Sequence, residues 1–135
     1  MFSSKHSKPQ SRIDSLVGAG TRIEGDVRFT GGLRVDGEIK GSIIADPGKP
    51  STLVLSEQAR VDGEIRVTHL VVNGTIAGPV NASDYLELQS KAKVIGDVHY
   101  KTLEIQLGAI VEGRLIHVAE AEDKVVAFKL GSSES

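Results

Sequence analysis

Cysteine and tryptophan are absent from the 135 residues, and only five aromatic side chains occur. Without cysteine there is no disulfide framework and no thiolate metal site. So few scattered aromatics leave no base-stacking platform for single-stranded nucleic acid. The formal net charge of −2 lacks the basic surplus of a general nucleic-acid binder. No apolar run approaches the ~18 residues of a membrane span, and the N-terminus has no signal-peptide core. A cytoplasmic protein is therefore expected. Phosphate loops are missing as well. Gly18-Ala19-Gly20 has no evident strand before it or helix after it, and Gly48-Lys49 lacks the upstream glycine and the following Ser or Thr. No cofactor is expected.

What is abundant is glycine, with 15 copies, set among Val, Ile and Leu. That mixture suits many short strands broken by tight corners. A five-residue pattern recurs, apolar-x-Gly-x-apolar. It runs Ile23 to Val27, Val35 to Ile39, Val61 to Ile65, Val72 to Ile76, Val94 to Val98 and Val111 to Leu115. Apolar residues at alternate positions point to one face of a strand, and the central glycine turns the chain without a β-carbon clash. The pattern predicts an all-β chain: a single parallel β-helix of about six stacked rungs spanning residues 16–130. Polar stretches 1–15 and 131–135 are expected to be disordered tails.

Leucines set the rung length. Leu16, Leu33, Leu53, Leu70, Leu86 and Leu103 are 17, 20, 17, 16 and 17 residues apart. The long interval holds Asp46-Pro47-Gly48-Lys49-Pro50-Ser51, an expected surface insertion. Gly25, Gly41, Gly63, Gly78, Gly96 and Gly113 then become one column of corners, with Gly37 and Gly74 extra corners in two shorter rungs. Charge supports this register. Stacked strands lie roughly 4.8 Å apart, where like charges repel. The leucine register stacks Arg22, Glu38 and Arg60 in one column and Glu24, Lys40 and Asp62 in the next, so signs alternate in both. The alternative, with Gly25, Gly37 and Gly63 aligned, would stack three arginines. The inward set runs from Leu33, Val35, Ile39 and Ile43 through three further rungs to Leu103, Ile105, Ala109, Val111 and Leu115.

No catalytic site emerges. The recurring acids Asp36 and Glu38, and Asp62 and Glu64, could suggest the paired carboxylates of glycoside hydrolysis. A catalytic site is singular, whereas these acids repeat, so solvated positions paired with Arg and Lys are the plainer account. His69, His99 and His117 sit at different distances from their corner glycines. They form no column, and no metal site is expected. Two terminal features remain. Met1-Phe2, followed by Lys5, Lys8 and Arg12, is either a minimal membrane-surface anchor or, as composition alone favours, an ordinary disordered tail. Near the other end Val126, Phe128 and Leu130 alternate without a corner glycine. There Phe128 either plugs the core or lies in an interface.

These residues together resemble the bactofilins: six apolar-x-Gly-x-apolar corners in one register, Met-Phe and lysines in front, and a terminal phenylalanine. The resemblance implies a right-handed β-helix that polymerises without nucleotide into non-polar filaments, a bacterial cytoskeletal scaffold rather than an enzyme. It implies association with the anionic inner face of the cytoplasmic membrane and recruitment of peptidoglycan synthases or hydrolases. By position, Met1, Phe2, Lys5 and Lys8 match the family's membrane-targeting tip and Phe128 its polymerising end. Val126, Leu130 and, at the opposite end, Leu16 complete the expected self-association surface. The alternatives are a left-handed hexapeptide-repeat acyltransferase, whose strict phase fails at Asn73, and a non-polymerising adaptor.

Overall fold

A computed structural model describes residues 12–119. All strand pairing within them is parallel. One six-stranded sheet is built from β2 (Arg22–Glu24), β5 (Glu38–Lys40), β8 (Arg60–Asp62), β10 (Thr75–Ala77), β12 (Lys93–Ile95) and β14 (Ile110–Glu112). The nine-stranded sheet holds β1 (Ser15–Val17), β3 (Val27–Phe29), β4 (Gly31–Val35), β6 (Ile43–Ala45), β7 (Ser51–Leu55), β9 (Ile65–Val72), β11 (Val80–Leu88), β13 (Val98–Ile105) and β15 (Leu115–His117). Each strand neighbours its counterpart one turn away, which is the signature of a solenoid of about six rungs.

The inward columns run the length of the stack. One passes through Val17, Val35, Leu55, Val72, Leu88 and Ile105, another through Ile23, Ile39, Val61, Ile76, Val94 and Val111. A third passes through Val27, Ile43, Ile65, Val80, Val98 and Leu115. Their middle members are essentially without solvent contact. Burying each of these aliphatics contributes roughly 1.5–3 kcal/mol, but only when a rung lies on either side.

The expected glycine column is present. A β-carbon added at Gly41, Gly63, Gly78, Gly96 or Gly113 would lie 2.1–2.5 Å from the carbonyl oxygen of the corner glycine one rung earlier. The other corner varies in length from rung to rung. Ser56–Ala59 and Gln89–Ala92 are four-residue turns, while Asp36-Gly37 and Asn73-Gly74 are short, so these two glycines tighten a corner that every rung has and are not the extra corners expected.

Charge alternation holds too, with Arg22 over Glu38 over Arg60 and Glu24 over Lys40 over Asp62.

One leucine is out of register. Ser15, not Leu16, stacks on Leu33, and Leu16 stacks on the outward Arg34 with 60% of its surface exposed. The first rung carries a four-residue turn, Gly18–Thr21, where the second has only Asp36-Gly37. The spacing from inward position to inward position is therefore 18, as in Val17 to Val35. A one-residue slip sends a strand residue to the opposite face.

The insertion at residues 46–50 separates β6 from β7, and β9 pairs with both. At the gap Thr68 substitutes for ladder pairing. Its hydroxyl donates to the Ser51 carbonyl at 2.7 Å and accepts from the Ser51 amide at 2.7 Å. The next rung loops past the same place, with Ser83-Asp84 forming the irregularity in β11.

Candidate self-association surface

A solenoid end is a row of unpaired backbone groups and half-covered side chains, so the two ends are where chemistry must be sought first. Among the described residues, β1, β2 and β3 bound the stack on one side, and β14, β15 and the Thr102–Ile105 half of β13 on the other. At the first end Val17, Ile23, Val27 and Phe29 are partly buried against the core. At the second, Ile105 is 47% exposed and Leu115 43%, while Leu103, Ala109 and Val111 are half-buried.

The expectation that Leu103 to Leu115 close the core therefore needs correction for Ile105 and Leu115. Both occupy inward columns, on Leu88 and Val98, but no described rung covers them. Among the described residues, six of the eight exposed large aliphatics fall between Ile95 and Val118. Apolar surface is thus concentrated at the second end.

Of the residues proposed from sequence for self-association, Leu16 lies on β1 at the first end, outward and exposed. Val126, Phe128 and Leu130 lie outside the described residues, as do Met1, Phe2, Lys5 and Lys8. Arg12 is described, and its guanidinium meets Asp14 at 3.1 Å in the open. Its charge is locally offset. Asp14 also accepts the Gly32 amide at 2.9 Å, and this bond, with Arg12, holds its carboxyl below the usual range against some desolvation.

The repeating acids are placed as ion-pair partners on the outer surface. Asp36 meets Arg34 at 2.9 Å, Asp62 meets Arg60 at 3.1 Å, and Glu64 pairs with Arg66. Asp97 accepts both the amide and the guanidinium of Arg114, which lowers its carboxyl below the ordinary range. The histidines do not converge. His69 Nδ1 lies 2.9 Å from the Thr68 hydroxyl, and the ring of His117 packs against Tyr100. Among the described residues no group of three or more His, Asp or Glu could hold a metal.

One polar cluster, gathered around the buried Tyr85, went unread in the sequence. Tyr85 stacks beside two carboxylates in register, Glu87 and Glu104. Its hydroxyl bonds Glu104 at 2.6 Å and reaches Glu87 at 3.3 Å, and Gln89 and Gln106 each donate to Glu87. Burial, then these carboxylates, push the phenol far above its ordinary value of 10.0. The group favours its neutral form in the fold. Stability it lends is whole below pH 10 and is lost as pH rises beyond that. Urea denaturation is expected to show a fall in stability above pH 10 that Tyr85→Phe reduces. At neutral pH the same variant should cost about 1.5–3 kcal/mol, the worth of hydrogen bonds to charged acceptors. An identical alkaline slope in both proteins would remove Tyr85 from this role.

Comparison with known proteins follows the same lines. The model of a family described as bactofilin, polymer-forming cytoskeletal, matches residues 15–116. Two bactofilins of Myxococcus xanthus are similar. BacP is 26% identical over 116 residues, covering 85% of this chain and 47% of BacP. BacO is 24% identical over 102 residues, covering 76% of this chain and 78% of BacO. The chain thus spans about half the length of the first of these. Among solved structures, a cryo-EM reconstruction of double helical filaments of Thermus thermophilus bactofilin superposes with a TM-score of 0.65 and 24% identity. It covers 73% of this chain and 96% of that one. A crystal structure of an arginine-for-phenylalanine mutant of the same bactofilin gives 0.62 and 25%, covering 68% and 98%.

Proposed function

The chain belongs to the bactofilin family of polymer-forming cytoskeletal proteins, and from that membership we propose a cytoplasmic scaffold that joins end to end without nucleotide into non-polar filaments. These filaments lie on the inner face of the cytoplasmic membrane and localise peptidoglycan synthases or hydrolases. The observation that carries the assembly is the pair of stack ends, above all the exposed Ile105 and Leu115 on otherwise buried columns. Burying such columns against another copy continues the packing that stabilises every inner rung. Val126, Phe128 and Leu130 extend the same apolar end in the sequence, and Met1, Phe2, Lys5 and Lys8 supply the membrane tip.

Electron microscopy of purified protein tests the assembly. Filaments are expected in buffer free of ATP, GTP and divalent metal. Uniform trimers would point to the acyltransferase, and small particles to the adaptor. Sedimentation with anionic vesicles tests the membrane step: the full chain should pellet and a deletion of residues 2–8 should not.

A further inference from the structure

On the outer face of the six-stranded sheet, two columns change character halfway along. The first reads Arg22, Glu38, Arg60, then Thr75, Lys93, Ile110. The second reads Glu24, Lys40, Asp62, then Ala77, Ile95, Glu112. In the first half Arg22 pairs with Glu24 and Glu38, and Arg60 with Asp62. In the second half Ile95 and Ile110 stand outward, 39% and 49% exposed. At the corner leading into β14, Leu107 is 96% exposed, where the corresponding turns carry Glu57 and Ser90. Such a leucine contributes nothing to its own fold. Exposed aliphatics gathered in the last two rungs, beside a half ruled by ion pairs, mark a contact.

We propose that Ile95, Leu107 and Ile110 form a lateral contact with a second copy of this chain, distinct from the end-to-end joint. The pattern is self-complementary. Lys93 stacks on Ile110 and Ile95 on Glu112, so the two isoleucines occupy one diagonal of a four-residue cell and the two charges the other. Neither Lys93 nor Glu112 has an ion-pair partner among the described residues. A two-fold axis along the isoleucine diagonal sets each isoleucine against its own copy. It also brings Lys93 over Glu112 of the partner subunit, as an isologous contact requires. The patch is continuous with the second stack end, since Ile110 belongs to the last rung. It lies on the side of the stack, however, and so remains open when the ends are joined.

The chain has no cysteine, so one introduced thiol reports this contact cleanly. Ile95→Cys, one rung back from the end, is expected to form a disulfide-linked dimer under mild oxidation. Glu24→Cys, in the same column at the far end, is not. Adding Leu107→Asp to Ile95→Cys should slow linking at least about tenfold, because a charge must then enter an apolar contact. Lys93→Glu should slow it too, and Glu112→Lys added to Lys93→Glu should restore it. Filaments without Ile95→Cys linking overturn the lateral contact and leave the end-to-end reading intact. Linked dimers without filaments do the reverse, and absence of both removes both. Equal linking at Glu24→Cys, no effect of Leu107→Asp, or no rescue by Glu112→Lys overturns the proposed pairing. If Leu107→Asp strips the protein from anionic vesicles while Ile95→Cys never links, the patch faces lipid and the proposal fails.

Discussion

Gly78→Ala is expected to lower the unfolding free energy by about 3–5 kcal/mol, the sum of a steric and a conformational penalty. The added β-carbon would sit 2.2 Å from the Gly63 carbonyl oxygen, and Gly78 holds φ at +151°. The obstructing atom is backbone within the ladder, where the Gly63 amide already bonds Ala77 at 3.0 Å. Neither rung can retreat without breaking pairing on both sides. Gly25 separates the two terms. It begins the column with φ at +130° and nothing within 4 Å of an added carbon, so Gly25→Ala should cost only about 1–3 kcal/mol. Gly48→Ala, in the surface insertion with only Asp46 Oδ1 at 3.6 Å, should stay within about 0.5 kcal/mol. Thermal denaturation of the three variants gives the ranking. Equal losses at Gly25 and Gly78 would show that close stacking of the corners is not what requires glycine.

That column was legible in the sequence because a solenoid stacks equivalent residues directly on one another. Two independent regularities, leucine spacing and sign alternation at Arg22, Glu38 and Arg60, selected the same register. Leu16 was misplaced because its 17-residue interval imitates the true repeat, while the longer turn at Gly18–Thr21 shifts the equivalence by one. Ile105 and Leu115 were correctly assigned to the inward face but not to a surface. Alternation tells which way a side chain points along the sheet; it does not tell whether another rung lies above. The lateral patch was open to discovery in principle, since sign alternation stops after Asp62. Its meaning needed the register first. The Tyr85 cluster follows from the register, since the 17-residue step from Leu86 to Leu103 also sets Glu87 on Glu104; alternation alone does not tell that the outward Tyr85 ring is buried beside them.

Ile105→Arg is expected to abolish filaments while leaving the fold intact, and with the filaments most membrane binding. Ile105 ends the column through Leu88 and is half open, so an arginine there can extend into water in the free chain. In an end-to-end joint the same charge loses its water, at a cost of several kcal/mol, which raises the assembly concentration by at least about a hundredfold. Circular dichroism should remain that of a β-protein, in contrast to Val98→Arg on the same strand, where Leu115 covers a fully buried side chain and the charge should unfold the protein. Phe128→Arg is expected to behave as Ile105→Arg does if both belong to one joint. The consequence for the membrane follows from the tail. Arg12 is offset by Asp14, so Lys5 and Lys8 contribute about 2 kcal/mol and Phe2 roughly 1.5–3 more. A total near 4–5 kcal/mol gives a dissociation constant on the order of 1 mM for one chain, too weak to pellet with vesicles. A filament presents many tails at once, and avidity can then add roughly 10²–10⁴. Wild-type protein should therefore sediment with anionic vesicles, and Ile105→Arg should not, although its tail is unaltered. Equal sedimentation of the two would show that a single tail suffices and that assembly is not what holds the protein to the membrane.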